Sequence, residues 1–206
     1  MKNIPKILLS VVLAVALAFS FSSCSKSVEL TEENVIETVA VVEESLKKFD
    51  TKKLEKYVNS STLSTIMRYA DKHKQFKELG KAIFSDLSIT VDDVDIKNQT
   101  VTVTVKNKDL SSVASDFAEK LKNNYSAVQL LNKLDDDDFL DFSLNQLVES
   151  MDAVDDETEV TVTLNVKKGD KNLVLTFDDD SEDAVSGGAL TAIKNIYINK
   201  INIYLR

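Results

Sequence analysis

Cysteine, proline, glycine, histidine and tryptophan are nearly missing from this 206-residue sequence: one Cys, one Pro, four Gly, one His and no Trp. Each scarcity excludes something. A single thiol forms no intrachain disulfide, so stability rests on packing. One thiol and one imidazole also fall short of the three or four ligands of a zinc site. The only proline is Pro5, and no low-complexity linker, internal repeat or obvious domain boundary follows residue 30. Positive charge is in deficit too, with 25 Lys and Arg against 34 Asp and Glu, net −9. That balance argues against nucleic acid, which is bound through a basic footprint.

What is there begins with a leader. Lys2 and Lys6 precede an apolar run from Ile7 to Phe21, and Ser22 and Ser23 stand before the lone Cys24. A basic start, a short apolar run and small residues are the parts of a secretory signal. A run of about 15 residues is shorter than the length a spanning helix needs. The stretch "FSSC" resembles the bacterial lipobox, although Phe21 stands where that motif usually has an aliphatic residue. The resemblance implies that residues 1–23 are removed and that Cys24 carries lipid. The anchor then lies in the cell membrane or the outer membrane, with the domain outside the cytoplasm. Two or three acyl chains hold a protein at a membrane where one does not, at about 0.8 kcal/mol per buried methylene. Residues 24–30 form a short tether. Removing 1–23 takes away two lysines and no acid, leaving 23 basic against 34 acidic residues, net −11. Anionic lipid repels such a surface, so the acyl chains must supply the attachment.

The rest reads as one domain, residues 31–206. Thr31 is an N-cap, with Glu32 and Glu33 in the first turn. Val35, Val39, Val42, Leu46 and Phe49 follow at helical spacing. Further helical starts lie at Asp50–Thr51 and at Ser60 or Ser61, and the second pattern continues to Phe84 with Gly80 weakening it. The period then changes to two. Leu87, Ile89 and Val91, then Val94 and Ile96, alternate with a slip at Asp92–Asp93 that predicts a bulge. After "KNQ", Val101, Val103 and Val105 alternate back as a hairpin. A helical hairpin is expected next, with Leu110 to Leu131 (including Val128) on one stripe and Leu140 to Met151 on the other. Asp109 or Ser111 caps the first and Asp138 the second. A second hairpin has Val160, Val162, Leu164 and Val166 inward, then Leu173, Leu175 and Phe177. The C-terminal stretch from Ser181 reads as helix, with strand as the alternative because of its isoleucines.

This order predicts an α+β fold: N-terminal helices, two antiparallel hairpins in one curved sheet, a helical hairpin between them and a C-terminal helix. It resembles bacterial lipoproteins of the nuclear-transport-factor-two-like superfamily, in which a curved sheet wraps helices as a cone. Asp183-Ala184-Val185-Ser186-Gly187-Gly188 is similar to the turn that opens their final helix. Those relatives often carry "WKI" in the last strand, where this chain has "LVLTF". The resemblance implies a fold and no particular activity.

Candidate chemistry is sparse. His73, flanked by lysines, reads as an exposed helix residue. An EF-hand loop begun at Asp178 needs Gly at its sixth place and Glu at its twelfth, where Asp183 and Ala189 stand. The run from Asp135 puts Phe139 at the fifth place. Gly187-Gly188 lies in no phosphate-binding motif. Tyr57, Tyr69 and Tyr125 sit on apolar stripes as buried tyrosines. The expectation is therefore a noncatalytic domain binding an apolar ligand or an envelope protein, with no cofactor. A cavity enzyme of the same cone fold and a calcium-dependent envelope protein are the alternatives.

Overall fold

The computed structural model describes residues 28–133, 135–192 and 194. The helix α1 (Glu32–Lys47) starts on Thr31, whose hydroxyl accepts from the Asn34 N–H, and it buries Val35, Val39, Val42 and Leu46. The Asp50 carboxylate caps α2 (Thr51–Tyr57). A two-residue strand, β1 (Val58–Asn59), follows directly. Ser60 caps α3 (Ser61–Ala70), and α4 (Lys74–Phe84) is a separate helix with His73 at its N-cap.

Two hairpins and the helices between them make up the rest. The strands β2 (Ser88–Asp95) and β3 (Thr100–Lys108) pair antiparallel, with the slip between Val91 and Asp93 where the sequence predicted it. The helices α5 (Ser111–Asn124), α6 (Ala127–Lys133) and α7 (Asp137–Asp152) lead to β4 (Glu157–Lys168) and β5 (Leu173–Thr176), and α8 (Asp179–Ser186) follows. Helical geometry resumes over residues 189–192. The remaining part of the expected C-terminal helix lies outside the described residues. The five strands form one curved, open, mixed sheet in the order β1-β5-β4-β3-β2. It is mixed because β1 runs parallel to β5. The expected α+β class is what the structure has.

One face of the sheet meets the helices and the other is ruled by threonine. Val101, Val103 and Val105 on β3 are buried, and so are Leu164, Val166, Leu173 and Leu175 beside them. On the opposite face Thr102 pairs with Thr163 and Thr104 with Thr161, at 3.3 and 3.2 Å. Such cross-strand pairs suit a wet face.

Three expectations need correcting. The first stripe of the helical hairpin breaks at Tyr125, whose backbone is extended. Ser126 then restarts the chain: its N–H donates to Gln129 Oε1 and its hydroxyl accepts from the Gln129 N–H, a reciprocal box that begins α6. The break turns Val128 and Leu131 outward, to 65% and 56% exposure. Asp136, not Asp138, caps α7 by accepting from the Phe139 N–H. Val160 faces solvent at 41% exposure, because the helices cover the other end of β4.

The end of β3 ties the layers together. Asn107 is 1% exposed and donates both Nδ2 hydrogens, to the Ile83 carbonyl at 2.9 Å and the Val185 carbonyl at 2.8 Å. Those carbonyls belong to the last turns of α4 and α8, where no intrahelical partner exists. Gly187 ends α8 with φ 56°, and a Cβ there would lie 1.8 Å from the Lys108 carbonyl oxygen. Its own carbonyl accepts from the Leu110 N–H. Across the core, a Cβ on Gly80 would meet the Phe49 ring at 2.5 Å, and that ring stacks on Phe84. Gly80 is therefore a contact and not a weak point.

Two variants test this packing by urea unfolding. Gly80→Ala should lose about 1–3 kcal/mol through overpacking, against the ~1 kcal/mol that helix propensity alone would gain. Asn107→Leu should lose about 2 kcal/mol or more by leaving two buried carbonyls without donors. Wild-type stability in both would remove Asn107 and Gly80 from the account of this fold.

Candidate functional site

The helix α1 has three faces, and two of them look onto open space. Its inward stripe fills the core. Asn34, Thr38 and Val41 border a cleft of about 430 Å³, closed by Val28, Tyr57 of α2 and Leu173 of β5. On the other flank Ile36, Ala40 and Glu43 border a groove of about 610 Å³ against Val91, Asp92 and Val94 of β2.

The amide and hydroxyl side chains of the cleft are committed to the backbone. Asn34 Nδ2 donates to the Glu29 carbonyl at 2.8 Å, and Thr38 Oγ1 donates to the Asn34 carbonyl at 2.7 Å. Asn172 Nδ2 donates to the Lys56 carbonyl at 2.7 Å. The hydrogen bond from Lys48 holds the Glu44 carboxyl below its ordinary range. The lining left for a ligand mixes Val28, Val41 and Tyr57 with the charged side chains of Glu37, Lys53 and Lys171. No nucleophile hydrogen-bonded to a base lines it among the described residues.

In the groove, burial pushes the Glu43 carboxyl above its ordinary 4.5, opposed by the Ile89 backbone N–H and by Lys47. The Lys47 ammonium lies 3.7 Å away.

The residues singled out from sequence fall elsewhere. His73 is not an exposed helix residue. Its side chain is 12% exposed, because the N-cap position between α3 and α4 turns it toward the start of α7. There Nδ1 lies 3.2 Å from Asp137 Oδ1 and Nε2 3.6 Å from Asp135 Oδ1. The acidic run Asp178–Asp183 is the start of α8 and not a loop. Asp178 accepts from the Ser181 N–H and hydroxyl, and these bonds hold its carboxyl below the ordinary range. Asp179 pairs with Lys194. Glu182, 3% exposed, accepts from the Ser60 hydroxyl and, at 3.3 Å, from the Thr62 N–H. It joins α8 to the start of α3. The three tyrosines expected to be buried are half-buried: Tyr69 stacks on Phe76 and Tyr125 meets Phe139 edge-on. Tyr57 alone of the three tyrosines borders the cleft. Cys24 lies outside the described residues.

No three His, Cys, Asp or Glu side chains converge as a metal set among the described residues. No helix among them is long and apolar enough to cross a membrane. Protein-family models, curated proteins and solved structures give no match to this chain.

Two measurements check these assignments. Because Asp178, Asp179 and Glu182 are engaged within the fold, adding millimolar calcium should leave the thermal midpoint unmoved. A ligand that binds the native state raises it by mass action, so a concentration-dependent rise would overturn the assignment. Glu43, with its folded pKa raised, costs stability as pH climbs from 4.5 through the folded value. Glu43→Gln should therefore match wild type at lower pH and exceed it increasingly above, in denaturant titrations across pH. A constant difference would sink the claim.

Proposed function

We propose that this chain is a membrane-anchored bacterial lipoprotein whose folded part is a noncatalytic ligand- or protein-binding domain. Acyl chains on Cys24 hold it at the cell membrane or outer membrane, outside the cytoplasm. The observation that carries the reading is the position of Val28. This residue lines the cleft beside α1, and it follows closely on the Cys24 that ends the "FSSC" stretch. Four residues extend at most about 14 Å, so an anchor at Cys24 brings the cleft mouth to the lipid surface. An apolar ligand with a polar group, or the face of an envelope neighbour, suits Val28, Val41 and Tyr57 beside the charged Glu37, Lys53 and Lys171 there. The amide and hydroxyl side chains of the cleft, spent on backbone carbonyls, support binding over catalysis. The curved sheet with helices on one face supports the resemblance to the nuclear-transport-factor-two-like cone.

Intact mass of membrane-extracted protein, wild type beside Cys24→Ala, tests the anchor. The expected result is a chain beginning at Cys24 with diacyl or triacyl mass, lost in the variant along with membrane retention. An unmodified chain cut elsewhere would sink the reading.

A further inference from the structure

Building on the reading of the cleft beside α1 as a binding site at a membrane, we propose that it takes the headgroup of a zwitterionic phospholipid of the phosphoethanolamine class. The phosphate pairs with Lys53 and Lys171, and the primary ammonium pairs with Glu37 on the opposite wall.

The charges of this cleft are sorted by wall. Its acids, Glu37 and Glu44, stand on α1 with Val41 between them, at the spacing of one helical face. Its bases come from the other side. Lys53 shares a face of α2 with Tyr57, four residues on, and Lys171 lies in the turn between β4 and β5. The Asn172 side chain donates to the Lys56 carbonyl at 2.7 Å and ties that turn to α2, so the two lysines belong to one wall. On the α1 side, the bond from Asn34 to the Glu29 carbonyl holds the chain next to Val28.

The two walls do not neutralise each other. Glu37, Lys53 and Lys171 are exposed and form no ion pair among the described residues. Glu44 is taken by Lys48 on its own helix, and Lys53 acts on it only through space. Unpaired charge of both signs on opposite walls complements a ligand that carries both, and a simple anion or cation leaves one wall unanswered.

The rest of the lining makes that ligand an amphiphile. Val28, Val41 and Tyr57 are half-buried and border the same space, where a headgroup alone has nothing to place. About 430 Å³ is room for a headgroup, its glycerol and the first acyl carbons, and the rest of the chains stays in the bilayer. Net charge selects too. The chain carries −9, so anionic lipid repels it and a headgroup of zero net charge does not. A quaternary ammonium is held by a cage of aromatic rings, and Tyr57 is the one aromatic residue of this lining. A primary ammonium, which donates hydrogen bonds, suits the Glu37 carboxylate.

Isothermal titration of the full chain carrying Cys24→Ala, whose own acyl chains then cannot fill the cleft, tests this. The probes are the dihexanoyl forms of phosphatidylethanolamine, phosphatidylcholine, phosphatidylglycerol and uncharged diacylglycerol, each below its micelle concentration. Phosphatidylethanolamine should bind about tenfold or more tightly than any other. Glu37→Gln should remove that advantage. Lys53→Gln/Lys171→Gln should weaken all three phospholipids about tenfold and leave diacylglycerol unchanged. These positions are exposed, so the variants should keep the wild-type circular dichroism. Equal binding of another phospholipid, or an advantage that survives Glu37→Gln, overturns the proposal. Diacylglycerol bound as tightly as phosphatidylethanolamine overturns it too, and leaves the cleft a site for apolar ligands. Binding of none of the four overturns both the proposal and the reading of the cleft as a lipid-facing binding site.

Discussion

The buried Asn107 side chain is the point on which the layers of this molecule depend. It sits at the end of β3, an interior strand of the sheet, and spends both its donors on the terminal carbonyls of two helices. Its own Oδ1 accepts from the Lys108 N–H at 2.8 Å. A buried amide with all these bonds made is stabilising, whereas the same amide with one partner missing is costly. The position of α4 relative to α8 is thereby set by one residue of the sheet. Close by, Gly187 lets the α8 terminus touch the Lys108 carbonyl, and Lys108 Nζ reaches Asp86 at 3.6 Å and the Asp152 carbonyl at 3.2 Å. The ends of α4, α7 and α8 all meet the last residues of one strand.

From that fixed end, α1 acquires its role. It crosses the helical face of the sheet and contacts both β2 and β5. Its inward stripe being wide, its two flanks become the walls of the cleft and of the groove. The same helix therefore borders the cleft near Val28 and the acidic groove along β2. Glu43 and Glu44 are adjacent in sequence and perturbed in opposite directions: burial raises one, and a lysine hydrogen bond in the open lowers the other. Helical geometry alone separates them.

Periodicity made most of this architecture legible. The Val-Thr alternation of β3 named its buried face correctly, and the slip at Asp92–Asp93 named the bulge. Local chemistry also cuts across periodicity: Ser126 and Gln129 have the spacing of a capping box, which ends the long stripe. Other features have no local signal. Asn107 looks like one more polar residue at a strand end, and only the tertiary approach of α4 and α8 makes it essential. The strand β1 is two residues long, and its pairing with β5 is a contact between distant parts of the chain. The burial of His73 depends on α7, some sixty residues later. Nothing in "ADKHKQFK" reveals that an acidic helix start will face it. The cleft was legible only as a cavity expected somewhere, because its walls come from α1, α2 and the hairpin turn together.

The acidity of the chain follows from how it builds helices without disulfides. Asp50, Asp136 and Asp178 each accept an orphan N–H at a helix start, and Glu182 serves the start of α3 through Ser60 and Thr62. Carboxylates at these positions satisfy donors that nothing inside the helix can reach, and they complement the helix dipole. A run such as "DDDSED" therefore resembles a cation loop in sequence while working as a helix start in the fold. The acids on β2 do something different. Asp92 accepts from Thr104 on the wet face at 2.7 Å and leaves its charge at the edge of the sheet. Like charge there discourages pairing with another acidic edge and leaves room for a basic one. Acids of similar appearance in the sequence thus do different work at helix starts and along β2.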